Sequence, residues 1–431
     1  MDYIEALRKI EELRALGSQP GLDRVKTLLE CMGNPQDKLS FVHVAGTNGK
    51  GSVCAVVSSV LKTSGYVTGL FTSPFIVDIR EQIQLDNAMI SKEDFAQTAE
   101  YVFSFVDELE DKGTVITEFE FTMALAFEYF LRKGADVVVL EVGMGGLLDS
   151  TNVIKAPLCA VLTPISLDHT GFLGKSLSDI AQHKCGIIKS GTQVVSAQQE
   201  KDVQGVLEKT CRELLVPFEY AGIDEIKVIE ESFKGTRCEY RGCEFVLPLL
   251  GVHQIENLSL SLGVLEILKN KGFEKITPDS LCEGVENTKN PARFEVVGEN
   301  PTVIIDGAHN PEGMRTFADT AKKLLPHKKG VLLMGMLKDK DVSKALEYIE
   351  GMFSKVYTVS IDNPRTMSAE KLREKCAQVF GISEAVADVQ TAFDKAYADA
   401  RNTDTYLCIC GSLYLASQIR PYVLCKTEYL Q

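Results

Sequence analysis

The stretch Val42-His43-Val44-Ala45-Gly46-Thr47-Asn48-Gly49-Lys50-Gly51-Ser52 runs from an apolar strand into a glycine-rich turn, and a helix-compatible segment follows from Val53 to Lys62. Glycines let the backbone turn its N–H groups inward, and the start of the next helix adds a positive dipole end. Asn48, Gly49, Lys50, Gly51 and Ser52 therefore read as a cradle for nucleotide phosphates, with Lys50 bringing a full charge to the terminal ones. The strict spacing GxxxxGK[ST] is not met. Val44 stands in place of the first glycine, and Gly51 separates Lys50 from the Ser52 hydroxyl. A plain tight turn is the alternative, but the flanking strand and helix favour phosphate binding.

Further along lie side chains suited to metal and phosphate. Ser73, in Phe71-Thr72-Ser73-Pro74-Phe75, offers a hydroxyl to Mg²⁺ or simply makes a turn before proline. Glu141 ends the apolar run Asp136–Leu140, and an acid at a strand's carboxyl end is placed either to hold Mg²⁺ or to face water. His169 follows Asp168, which would orient its ring if it were functional; a structural histidine is the alternative. Lys184 and Lys189 fall near the end of an amphipathic helix begun near Ser176, where lysines are usually solvated. Asn257 in Gly251–Asn257 either caps a helix or points at a ligand. Arg293 is a salt-bridge former or a bidentate phosphate binder. Asp306, His309 and Asn310 crowd one turn after the apolar strand ending at Ile305, as capping groups or as a site.

In this order the segments resemble the Mur ligase superfamily, specifically its folylpolyglutamate and dihydrofolate synthase branch. The resemblance rests on Gly33-Asn34-Pro35-Gln36, the Lys50-Gly51-Ser52 ending, Thr72-Ser73-Pro74 and Glu141–Asn152. It continues through Asp168-His169, His183–Ile187, Asp306–Pro311 and Cys410–Tyr414, with Cys410 where relatives carry threonine. It implies Mg²⁺ on Ser73 and Glu141, a second Mg²⁺ at His169, and a CO₂ adduct on Lys184. It also implies ATP contacts from Asn257, Arg293 and Asp306, with His309 nearby in the interdomain cleft. Ile79-Arg80-Glu81-Gln82-Ile83 departs from the Asn-Glu-Arg of relatives, so no substrate contact carries over to Arg80 or Gln82. The implied activity is ATP-dependent joining of L-glutamate to a folate carboxylate through an acyl phosphate, by a monomer. Whether dihydropteroate is also an acceptor, or the only one, stays open. A nucleotide switch without ligase activity is the rival from another class.

The elements that must position these residues follow from hydrophobic spacing. Phe41–Ala45, Val137–Leu140, Ala160–Leu162, Val303–Ile305 and Val331–Met334 are short apolar runs, as in strands covered on both faces. Glu118–Leu131 and Ser259–Leu268 between them carry helical spacing. The alternation predicts an α/β protein: a P-loop N-terminal domain with a largely parallel sheet, residues 1–293, and a smaller Rossmann-like α/β domain, residues 294–431. Val228–Leu250 reads as antiparallel hairpins inserted in the first domain.

Composition bounds the partners. The 431 residues are 45% hydrophobic and 25% charged, ordinary for a soluble enzyme. A net charge of -14 argues against broad nucleic-acid binding, which needs a basic face. Neither a secretory leader nor a bilayer-spanning apolar run of ~20 residues appears, so a cytoplasmic protein without membrane contact is expected. The 12 cysteines include no CxxC pair, which suits buried free thiols better than zinc ligation.

Overall fold

The computed structural model describes every residue except 15, 16, 18, 326, 327 and 429–431. The chain divides into two compact units. The first comprises residues 1–75, 79–226 and 256–288; the second comprises 76–78, 227–255 and 289–431.

The first unit is built on an eight-stranded sheet. Its strands are β1 (Phe41–Ala45), β2 (Thr68–Phe71), β3 (Ile83–Leu85), β4 (Ala88–Met89), β5 (Val137–Glu141), β6 (Cys159–Leu162), β7 (Gln193–Ser196) and β8 (Phe218–Tyr220). They lie in the order β4-β3-β2-β5-β1-β6-β7-β8, and every pair from β2 to β8 is parallel. Only the β4-β3-β2 edge is antiparallel. β1, β2, β5 and β6 are buried along their whole length, the property that made β1, β5 and β6 legible as continuous apolar runs. Parallel neighbours end on the same edge, so the segments after β2, β5, β1 and β6 emerge side by side.

Helices cover this sheet. Helix Glu118–Arg132 starts with a capping box, Thr117 accepting from the Glu120 N–H while Glu120 returns to the Thr117 N–H. It packs Phe127 edge-on against Phe41 of β1, with ring centroids 5.4 Å apart. A buried phenylalanine of this kind contributes roughly 2–3 kcal/mol. Helix Lys50–Thr63 lies against β1, β2 and β5 and packs tightly on helix Pro278–Glu286. There the Ser59 hydroxyl donates to the Gly284 carbonyl at 2.6 Å, and a side chain at Gly284 would meet Val60 Cα at 2.5 Å.

The second unit carries two sheets. β9 (Ile226–Ser232), β10 (Gly235–Tyr240) and β11 (Cys243–Leu247) form a three-stranded one, in which β10 and β11 pair antiparallel. These are the hairpins expected at Val228–Leu250, and in space they group with the second compact unit. Strand and turn patterns are local and do not tell which core an insertion packs in. The division also falls after Thr288, a few residues ahead of the 293/294 boundary read from sequence.

The larger sheet has β12 (Glu295–Glu299), β13 (Thr302–Ile305), β14 (Gly330–Met334), β15 (Phe353–Val359), β16 (Ser383–Val386) and β17 (Leu407–Cys410). Their order is β12-β13-β17-β14-β15-β16, parallel apart from β12, which makes the unit Rossmann-like. Separate apolar clusters lie on its two faces, one including Cys408 and Cys410. All twelve cysteines are free, and the eight at positions 54, 159, 185, 211, 238, 376, 408 and 410 are buried.

Candidate active site

The segment after β1 makes the turn that its glycines allow. Gly46 and Gly49 hold φ of 149° and 90°, in the region that side chains oppose. Both also lack space: a Cβ on Gly46 would lie 1.7 Å from Thr163 Oγ1, and one on Gly49 would lie 2.3 Å from Asn257 Oδ1. The helix then begins at Lys50, three residues earlier than its apolar pattern suggests. Its N-cap is Gly49, which makes no side-chain cap there, so the helix's positive end faces the turn. These features fit a phosphate cradle. Asn257, 3% exposed near the start of helix Val252–Asn270, is packed on the cradle by that contact with Gly49.

Strand order brings the next pair together. β5 lies between β2 and β1, with Glu141 in register with Val44. Glu141, 5% exposed, accepts from the Ser73 backbone N–H at 3.2 Å. The contact brings together two residues that carry hard oxygen donors of the kind Mg²⁺ takes, a carboxylate and a hydroxyl. Among the described residues no three His, Cys, Asp or Glu side chains form a metal-binding cluster. Mg²⁺ suits such a sparse set, because it uses one or two protein ligands and completes its shell with water and phosphate oxygens.

Beside the cradle is a small cleft lined by Gly46, Thr47, Lys50, Gly143–Gly145, Asp168, His169 and Lys184, among others. Lys50 Nζ donates to the carbonyls of Gly46 and Thr47 at 3.3 and 3.2 Å. His169 is the left-handed residue opening the short helix Thr170–Leu173, and its Nε2 lies 3.9 Å from Asp168 Oδ2. Lys184, near the end of helix Leu177–Cys185, donates to the Gly46 carbonyl at 2.6 Å.

The expected solvation of Lys184 and Lys189 does not hold. Lys184 is 5% exposed, and burial, reinforced by the nearby Lys50 charge, pulls its pKa down to about 7 against the opposing pull of Asp168 and Asp149. Lys189 is also largely withdrawn from water, which lowers its pKa to about 8, and it donates to the carbonyls of Asn152 and Ile154. The helix carrying Lys184 ends under the glycine turn of residues 143–148, and Lys189, four residues past that helix, is held by the segment at Asn152–Ile154, tertiary facts with no local signature.

That turn is organised by residues to which sequence reasoning gave no individual role. Asp149 accepts from the Met144 N–H at 2.7 Å and from the Thr151 N–H and hydroxyl at 3.0 and 2.6 Å. Burial raises its pKa although these hydrogen bonds oppose the rise. With its proton committed to Asp149, Thr151 Oγ1 accepts from His43 Nε2 at 2.9 Å. His43 is fully buried in β1, and burial with the Lys189 charge lowers its pKa to about 3, so it is neutral. The Asp-Ser-Thr-Asn segment was the available signal, since two of its four residues, Asp149 and Thr151, hold this network.

The second unit gathers its own group. Asp306, after β13, accepts from the N–H groups of Phe294 and Ala308 at 2.7 and 2.6 Å. Burial raises its pKa against the pull of Arg293 and these two donors. A Cβ on Gly307 would come 2.6 Å from Arg293 Nη1, so the arginine lies across the turn. His309 Nδ1 is 2.8 Å from the Gly307 carbonyl, and Asn310 caps helix Pro311–Leu324 by accepting from Gly313 N–H at 2.7 Å. Arg293, Asp306 and His309 are thus neighbours in one unit, while Asn48–Ser52, Ser73, Glu141, His169, Lys184 and Asn257 share the carboxyl edge of the sheet in the other.

A parallel sheet with a glycine cradle, a lysine at the following helix's start and a carboxylate on the adjacent strand defines a P-loop nucleotide-binding protein. Residues 44–265 match the Mur ligase middle domain, and residues 292–413 match the Mur ligase glutamate ligase domain. Folylpolyglutamate synthase of Lacticaseibacillus casei is 33% identical over 440 residues, covering 98% of this chain and 99% of its own. Dihydrofolate synthase/folylpolyglutamate synthase of Bacillus subtilis is 33% identical over 428 residues, covering 97% and 98%. The solved Mycobacterium tuberculosis folylpolyglutamate synthase complexed with ADP and AMPPCP superposes with a TM-score of 0.89 at 30% identity, covering 98% of this chain and 99% of that one. The chain belongs to the folylpolyglutamate synthase and dihydrofolate synthase branch of the Mur ligases.

Proposed function

We propose that this chain is an ATP-dependent ligase joining L-glutamate to a folate carboxylate. The observation that carries the reading is the phosphate cradle with Lys50, the Ser73–Glu141 pair and the buried Lys184 amine along one sheet edge. Amide formation from a free carboxylate needs activation, because hydroxide is a poor leaving group. Transfer of the terminal phosphoryl group of ATP to the carboxylate makes phosphate the leaving group. The glutamate amine then attacks the carbonyl carbon, the C–N bond forms, the C–O bond to phosphate breaks, and the amine loses its proton.

In this scheme Asn48–Ser52 hold the phosphates, and Lys50 balances charge as it builds on the terminal one. Ser73 and Glu141 would hold one Mg²⁺ and His169 a second, which when bound neutralise phosphate charge. Asn257, packed on Gly49, contacts the nucleotide, as do Arg293 and Asp306, with His309 beside them. The domain read over residues 1–293 carries the phosphate site, and the one over 294–431 receives glutamate while adding Asp306 to the nucleotide contacts. Lys184 is a further participant. Burial pulls its pKa down to about 7, which favours the neutral amine, the form that adds CO₂. The amine nitrogen bonds to carbon and releases a proton, turning a cation into an anionic oxygen donor. Intact mass is a poor probe because the adduct is acid-labile; full activity in Lys184→Ala would refute this role.

Dihydropteroate is a second acceptor to consider, because the Bacillus subtilis relative carries both activities in its name. Ligation assays with labelled glutamate and ATP, offering tetrahydrofolate, dihydropteroate and a muramyl peptide separately, test the reading. Incorporation with tetrahydrofolate is expected. Incorporation into the muramyl peptide alone would overturn it. The protein is proposed to act as a cytoplasmic monomer; among the described residues no helix is long and apolar enough to cross a membrane.

A further inference from the structure

We propose that Asn152 is a positioning residue that fixes the Lys184 amine against the phosphate cradle. The proposal rests on the reading of Lys184 as part of the ligation machinery. Asn152 is 8% exposed, and its Nδ2 donates to two carbonyls, Leu147 O at 3.1 Å and Gly186 O at 3.0 Å. Both partners accept only, so the amide orientation is dictated: its NH₂ must face them. Leu147 belongs to the glycine turn lining the cleft, whereas Gly186 lies two residues beyond Lys184. One side chain therefore ties the turn to the chain end that carries the lysine.

Two further features make the tie specific. The turn docks on the helix end through Leu147 N–H, which donates to His183 O at 2.7 Å. The approach is as close as backbone permits: a Cβ on Gly146 would lie 2.7 Å from His183 O, and one on Gly186 would lie 2.5 Å from Leu147 Cβ. Asn152 is itself anchored, because Lys189 Nζ donates to its carbonyl at 2.9 Å and its 3-10 helix, Ser150–Val153, is capped by Asp149. The anchored amide sets the turn, the turn sets residues 183–186, and Lys184 Nζ then meets Gly46 O at 2.6 Å. Displacement of a reacting constellation by about 1 Å costs on the order of 100-fold in rate.

The test is a double-mutant cycle on kcat, with KM for ATP recorded alongside, using Asn152→Ala, Lys184→Ala and the double variant. Asn152→Ala should lower kcat on the order of 10- to 100-fold, with a smaller change in KM, and should add no further loss once Lys184 is alanine. Equal losses from Asn152→Ala in both backgrounds would assign it a general structural role and overturn the proposal, as would an unchanged kcat in the single variant. Full activity in Lys184→Ala would instead remove Lys184 from the machinery, and the positioning role with it. Asn152→Ser retains one donor too short to span both carbonyls. It runs the same cycle where the alanine variant does not fold, with the same outcomes expected and excluded.

Discussion

Replacing Lys184 by methionine should make the protein more stable while disabling it, by an amount that depends on pH. The ordinary lysine pKa of 10.5 falls to about 7 here through burial and the Lys50 charge. That difference of about 3.5 units corresponds, at 1.36 kcal/mol per unit, to about 5 kcal/mol favouring the unfolded chain at low pH. The sign follows from proton counting. Between pH 7 and 10.5 the unfolded chain keeps the Lys184 proton while the folded chain has lost it. Stability of the natural protein therefore rises with pH across that window, at up to about 1.4 kcal/mol per unit from this group. The full penalty applies below pH 7 and vanishes above 10.5. Methionine has similar reach and no charge, so Lys184→Met escapes the penalty. Urea unfolding at pH 7, 8 and 9 measures the gap between the two proteins. The variant should be more stable at pH 7, and the gap should narrow steadily at the higher values. A gap that is constant or widens with pH would refute a buried lysine of depressed pKa.

Lys50→Ala should lower ligation by at least about 100-fold, read as labelled glutamate incorporated, because one donor to the developing phosphate charge is lost. Gly49→Ala forces a side chain into a left-handed turn 2.3 Å from Asn257 Oδ1. It should lower stability by at least about 1–2 kcal/mol in urea unfolding and raise the KM for ATP. Glu141→Gln keeps the shape and removes the charge, so the Mg²⁺ concentration for half-maximal velocity should rise about tenfold or more in a Mg²⁺ titration.

The buried strands were plain in the sequence because a parallel sheet covered on both faces needs continuous apolar runs. Val137–Leu140 and Val331–Met334 are examples, each within a residue of the observed strand ends. The glycine turn was equally plain, since Gly46 and Gly49 are required by backbone angle and close contact together. What stayed hidden depends on packing between segments distant in the chain. Lys184 and Lys189 look like solvated helix-end lysines until the turn at residues 143–148 packs on the first and the carbonyls of Asn152 and Ile154 hold the second. Asn152 was part of a recognisable motif, yet nothing local shows that its amide spans Leu147 and Gly186. His43 reads as one polar position in an apolar strand, and only the fold supplies Thr151 as its partner. The β9–β11 hairpins were legible as hairpins, whereas their spatial grouping with residues 289–431 is set by tertiary packing.

The most direct measurement is the stoichiometry of coupling: phosphate released from ATP against labelled glutamate incorporated, with and without tetrahydrofolate. A carboxylate activated by phosphoryl transfer requires one phosphate per glutamate joined, and little release when the folate is left out. Steady ATP hydrolysis indifferent to folate and glutamate, with no label incorporated, would mark a nucleotide switch and contradict the ligase.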